Sequence, residues 1–227
     1  MNPSPTPPTT PSETQGIDWR DWRFGAAVGI VAVLEKLVRF NLPEWTHGLN
    51  NGLIASLMVA AYILHRARRE PEKLDVWGIT TPLSSAALVM AVVLLAVAVG
   101  TQAAAGLALV GTLSFESRYV PDMIEYLLGA FPQQFFLCSV GLVSLGKLAV
   151  FRGSWRLPLT VAVLFSLAHW WTPAQFPGTP IPLQMITTLP AGYFAAWYFL
   201  RFRSIVPLVV LHAVIYVISF RWVEAHV

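Results

Sequence analysis

A single cysteine, Cys138, occurs in 227 residues, and only 12% of the chain is Asp, Glu, Lys or Arg. One thiol excludes an internal disulfide framework, so cysteine usage implies no oxidising compartment. Soluble domains carry roughly 25% charged residues, and the shortage here, set against 56% hydrophobic residues, excludes an ordinary soluble domain. Two histidines and one thiol in the apolar runs could ligate zinc, but no carboxylate accompanies them and the histidines are not closely spaced, which argues against a zinc centre, and no cofactor is expected. The net charge of +3 and pI near 9.2 do not point to nucleic acid, because the Lys and Arg residues cluster at the ends of apolar runs instead of covering one polar face. No internal repeat is visible, and the start of the chain lacks the basic, apolar and small-residue succession of a signal peptide.

Apolar segments fill most of what remains. Residues 1–17 are the exception: Pro3, Pro5, Pro7, Pro8 and Pro11 among Ser and Thr predict a disordered tail. Residues 18–227 read as a single transmembrane domain. A hydrocarbon core of about 30 Å needs roughly 20 apolar residues per helix. On that scale the sequence predicts an all-α polytopic bundle of about seven spans, at 24–41, 48–65, 83–110, 122–146, 158–172, 182–200 and 205–223. Glu35, Lys36 and Arg39 make the first the weakest and give it an interfacial, amphipathic alternative. Arg20, Arg23, Arg66, Arg68, Arg69, Lys73, Lys147, Arg152, Arg156, Arg201 and Arg203 fall on one side if every span crosses, with mainly Arg118 and Arg221 opposite. The positive-inside bias then places the N-terminus in the cytoplasm and the C-terminus outside. Tryptophans such as Trp19, Trp45, Trp155, Trp171 and Trp222 lie near the proposed span ends, where amphipathic rings sit.

Polar side chains inside such runs are costly and rarely idle. Gln133 and Gln134 stand in FPQQFFLCSVGL, His169 in FSLAHWW and His212 in VPLVVLHAVIY. At 1.5 Å per residue, Gln134, His169 and His212 lie at depths of roughly 18, 18 and 12 Å from one face, so the fourth, fifth and seventh spans can bring them around one cavity. Residues four apart share a helix face, which pairs Gln134 with Cys138, Phe165 with His169, and His212 with Tyr216. Pro132 removes a backbone donor just before the Gln pair, and the carbonyl it frees could serve a substrate or a water.

These three segments, in this order, resemble the E-E-x-x-x-R, F-x-x-x-H and H-x-x-x-N motifs of the CAAX-protease and bacteriocin-processing (CPBP, Abi-like) superfamily of intramembrane proteases. The resemblance covers about residues 120–223 and is most specific in RFRSIVPLVVLHAVIY. It implies a membrane endopeptidase of the glutamic type, in which a glutamate pair activates water while histidines orient the substrate and stabilise the oxyanion. Carried over, Gln133 and Gln134 occupy the acid positions, Cys138 the arginine position, Phe165 and His169 the second motif, and His212 the third. Tyr216 stands where asparagine is usual. A neutral amide cannot act as a general base, so proteolysis by the glutamic route is expected to be weak or lost. The departures at Cys138 and Tyr216 favour natural divergence over an engineered knockout.

The expected protein is therefore a CAAX-prenyl-protease-like member whose endopeptidase activity is in question. A pseudoprotease that binds or chaperones, or a different chemistry in the same cavity, is the alternative. The expected partners are the lipid bilayer and a peptide or lipid-modified protein, and the expected location is a bacterial or archaeal cytoplasmic membrane. Each polar group also has a plainer role. Either histidine could simply bond across helices, and Cys138 could pack as a small apolar residue instead of acting as a nucleophile. Glu35 has Arg39 one turn away. Glu125 stands at a helix start, and the basic stretch 65–73 follows from topology without lipid specificity.

Overall fold

The computed structural model describes residues 18–39, 51–151, 154–170 and 175–226. The expected tail at 1–17, together with Trp45, Arg152 and Trp171, lies outside the described residues, as do the side chains of Glu35, Lys36 and Arg39. Among the described residues the chain is helical, with a single isolated bridge between Gln175 and Pro182. The order is α1 (Trp19–Arg39), α2 (Asn51–Ala67), α3 (Lys73–Val76), α4 (Ser85–Leu109), α5 (Tyr119–Gln134), a π-helix (Phe135–Leu142), α6 (Val143–Leu145), α7 (Arg156–Leu167), α8 (Leu183–Phe202) and α9 (Val206–Trp222).

The helix α4 shows what solvent the fold is built for. Ser84 caps it, accepting from the Ala87 backbone N–H at 3.1 Å, and its 25 residues contain no charge. Val89, Val92, Val93 and Val97 are nonetheless exposed. A helix apolar on all sides belongs in a core or in lipid, and outward-facing valines along its length leave lipid. Ser85–Leu109 and the continuous run Tyr119–Leu145 are long and apolar enough to cross a membrane, whereas Leu53–Ala67, Arg156–Leu167 and Val206–Trp222 are apolar but shorter.

Side-chain contacts gather the helix ends at two poles. At the first, the start of α1 meets the end of α2. Arg66 is 4% exposed, and its guanidinium lies 2.7 Å from Asp18, 3.5 Å from Asp21 and 2.9 Å from Glu70. Lys73 adds contacts to Asp18 at 2.8 Å and Asp21 at 3.2 Å. Burial pushes the Asp18 carboxyl upward, but hydrogen bonds from Lys73 and Arg66 outweigh it and hold the group well below the usual carboxylate range. At the other pole, Arg221 at the end of α9 reaches Asp122 at the start of α5 at 2.5 Å. The Trp222 indole and the Tyr119 hydroxyl both donate to the Ser114 carbonyl.

The core between the poles is aromatic: Trp77 packs edge-on against Phe135 at 5.2 Å, beside the buried Tyr198 and Phe199. The turn after α3 reaches the link between α8 and α9 through Gly78, whose carbonyl accepts from the Ile205 N–H at 3.0 Å. Gly78 has φ +70°, and a Cβ there would lie 2.6 Å from the Arg203 carbonyl oxygen and 2.7 Å from the Phe199 ring. Gly78→Ala is expected to cost about 2–4 kcal/mol through the left-handed backbone and the clash. Thermal unfolding in detergent checks this, with Gly29→Ala as the control because nothing lies within 4 Å of that site.

One expected span is shorter than the sequence predicts. The fifth was expected at 158–172, but α7 ends at Leu167. Its 12 residues rise only about 18 Å, roughly half of a hydrocarbon core. The following turn bends the chain at His169, whose N–H bonds the Ser166 carbonyl at 2.9 Å.

Candidate functional site

Local backbone chemistry prepares α5. Pro132 lies inside the helix and has no N–H for the Leu128 carbonyl. The Ser56 hydroxyl of α2 donates to that carbonyl, so the oxygen that the sequence offered to a substrate or water is taken by a neighbouring helix. Immediately after Gln134 the helix widens into the π-helix Phe135–Leu142, a form that is rare and frequent at functional sites. Ser139 in this segment donates to the Trp77 carbonyl at 2.7 Å and ties it to the turn after α3.

Gln134 and His212, 78 residues apart in sequence, meet directly: Gln134 Nε2 lies 2.9 Å from His212 Nδ1. Gln134 is 4% exposed, and Cys138, at 0%, offers its thiol to Gln134 Oε1 at 3.7 Å. The two partners set the amide orientation. The thiol proton faces the oxygen, so the amide nitrogen donates to the ring, and His212 carries its proton on Nε2. Cys138 is thus paired with an amide and not with an imidazole base.

His169 carries the opposite tautomer. Its Nδ1 lies 2.8 Å from the Phe165 carbonyl oxygen. A carbonyl only accepts, so Nδ1 holds the proton and Nε2 the lone pair. This contact also satisfies a last-turn carbonyl at the C-terminus of α7, a capping task that histidine performs in many helices. The Phe165 ring stands between the two imidazoles, edge-on to His169 at 4.8 Å and to His212 at 6.0 Å. Gln134, Phe165, His169 and His212 therefore form one cluster from α5, the end of α7 and α9.

Tyr216 and Gln133 lie further along, joined by Tyr126, a residue the sequence reading did not single out. Tyr126 stacks on Tyr216 at 3.7 Å and approaches His212 at 5.9 Å. The Gln133 side chain lies beside the Tyr126 hydroxyl, while its own Oε1 is buried with no hydrogen-bond partner. Beyond the tyrosines sits another unforeseen group. Glu224 is 8% exposed, and its carboxylate accepts from Gln184 Nε2 at 2.6 Å and from the Ser219 hydroxyl at 2.8 Å. Ser219 and Glu224 are close in sequence, but Gln184 comes from α8, and no local pattern announces that contact.

Residues 140–218 match the family model described as Type II CAAX prenyl endopeptidase Rce1-like. Over this segment the chain is similar to the CAAX-protease superfamily. No curated protein and no solved structure matches the chain significantly. The Rce1-like segment contains Phe165, His169, His212 and Tyr216, and begins downstream of Gln133, Gln134 and Cys138. The correspondence of those three with the family's acid and arginine positions rests on motif spacing. The similarity agrees with the apolar, outward-facing α4 upstream of it: that family is membrane-integral, and the bilayer is the medium that such a helix requires.

Proposed function

We propose that this is a CAAX-protease-like membrane protein whose amide and imidazole cluster binds a peptide segment, lipid-modified in the manner of a CAAX substrate. Peptide hydrolysis by the glutamic mechanism is weak or lost. The observation that carries this reading is the hydrogen bond from Gln134 Nε2 to His212 Nδ1 at 2.9 Å. A carboxylate at that position would hold a pair of acceptor oxygens and could take a proton from water. The amide instead spends its donor on the imidazole and has no basic lone pair to offer. What remains for a ligand is hydrogen bonding: with Nδ1 engaged by Gln134, His212 keeps an Nε2–H that a chain entering laterally from the bilayer would meet.

The helical runs α1, α2, α4, α5 through α6, α7, α8 and α9 fit a seven-crossing topology in which α7 is the shortest of these helices. The pole bearing Arg66, Lys73 and Arg203 then faces the cytoplasm, together with the N-terminus, by the positive-inside bias. A bacterial or archaeal cytoplasmic membrane fits this arrangement. A non-enzymatic holder of a lipid-modified chain fits the cluster better than a thiol enzyme does, since Cys138 is fully buried against Gln134.

The test uses the full chain in nanodiscs and a farnesylated CAAX peptide. Saturable binding is expected, weakened roughly ten-fold by His212→Phe, as for loss of a hydrogen bond of about 1.4 kcal/mol, with tripeptide release close to the spontaneous rate. Rapid hydrolysis by the unaltered chain, or binding indifferent to His212→Phe in a folded variant, would overturn the reading.

A further inference from the structure

Two hydrogen-bonding groups in the cluster are left over. Gln133 Oε1 is buried without a donor. His212 has Nδ1 occupied by Gln134, so its proton sits on Nε2, which has no partner among the described residues. One is an acceptor and the other a donor, and both flank Tyr126, whose ring lies 5.9 Å from the imidazole and whose hydroxyl lies beside the Gln133 side chain. A buried carbonyl oxygen without a donor is rare in folded proteins and calls for a partner. In a bilayer that requirement is stricter, because lipid supplies none.

A secondary amide carries one N–H and one C=O, the complement of what remains. We infer that Gln133 is a ligand-binding residue whose side-chain oxygen accepts a backbone N–H of the bound peptide while His212 Nε2–H donates to a backbone carbonyl. This rests on the peptide-binding reading above and sharpens it from a lipid-modified chain to one read through its main chain. Gln134 acts indirectly, as a positioning residue: by donating to Nδ1 it keeps the His212 proton on the ring nitrogen that meets the ligand. The tyrosine pair forms the wall between the two contacts. An ester linkage, which has a carbonyl but no N–H, satisfies His212 and leaves Gln133 unserved.

The experiment compares a farnesylated CAAX peptide with a set of analogues in which each backbone amide in turn is replaced by an ester, binding to the full chain in nanodiscs. One ester analogue is expected to bind roughly ten-fold more weakly than the parent, as for a hydrogen bond lost from a buried acceptor. In Gln133→Met, close in shape but without the acceptor, that analogue and the parent should bind alike. Because Gln133→Met removes an unpartnered oxygen, its unfolding temperature without ligand should be unchanged or higher. A lower one indicates that a water or another donor already serves Gln133, and overturns the inference. So does a set of ester analogues that all bind the unaltered chain as well as the parent does. Failure of the parent peptide itself to bind would sink the peptide-binding reading and this inference with it. Equal binding of parent and esters sinks the inference alone.

Discussion

Replacing both Gln133 and Gln134 by Glu is expected to raise hydrolysis of a farnesylated CAAX peptide by about 10²–10⁴-fold over the unaltered chain, the range that a positioned general base contributes. The frame for such a base is present: His212 stands 2.9 Å from the Gln134 amide, and the Phe165 ring holds His169 beside it. A carboxylate at position 134 can only accept, so it would draw the His212 proton to Nδ1 and leave Nε2 as the bare nitrogen. Cys138, already donating to Oε1, could continue to donate. The gain should appear in kcat and should require His169. Product release after incubation measures it. A double variant that folds, binds and still does not hydrolyse would show that the departures at Cys138 and Tyr216 have remodelled the site beyond the loss of its base.

Arg66→Leu should be the most destabilising single change at the charged pole, by about 3–5 kcal/mol. The guanidinium is nearly inaccessible and is shared by Asp18, Asp21 and Glu70. Removing it leaves Asp18 and the buried Asp21 with Lys73 alone and Glu70 with the exposed Arg20, and an unpaired buried charge costs more than the pair contributes. Loss of the unfolding transition at its normal temperature, with Arg68→Leu as an exposed control, checks this.

The same cluster sets an acid limit. The Asp18 carboxyl is held below its ordinary value of 3.8, so folded protein binds protons there less readily than unfolded protein. Its contribution is present above about pH 4 and is lost as pH falls toward the folded value. Asp18→Asn should therefore be less stable near neutrality yet lose less stability on acidification. An unchanged acid slope would remove Asp18 from the account.

The sequence located these features unevenly. Each of the three spaced pairs is in contact or on a common wall, but only His212 and Tyr216, which both face Tyr126, do so within one α-helix; Cys138 meets Gln134 from a π-helix, and His169 meets Phe165 from the turn after α7. That last face is a local property, fixed by 3.6 residues per turn. The length of α7 was not legible, because LAHWWTP continues the apolar run and nothing in it marks the point at which His169 turns back onto Phe165. Glu224 escaped notice because its partner Gln184 belongs to another helix. The cluster at Arg66 escaped because 65–73 reads as a solvated basic stretch until Asp18 and Asp21 are folded against it.

The sequence by itself determined that this chain is helical and rich in apolar runs, and which of those runs carry its polar groups, because hydropathy and length need no partner. Tertiary structure alone decided that Gln134 and not Gln133 holds His212, that Ser56 satisfies the carbonyl freed by Pro132, and that Gln133 keeps an unserved oxygen. Those outcomes depend on how helices rotate and slide against one another, and that is settled by packing between residues far apart in the chain, where no local periodicity reaches.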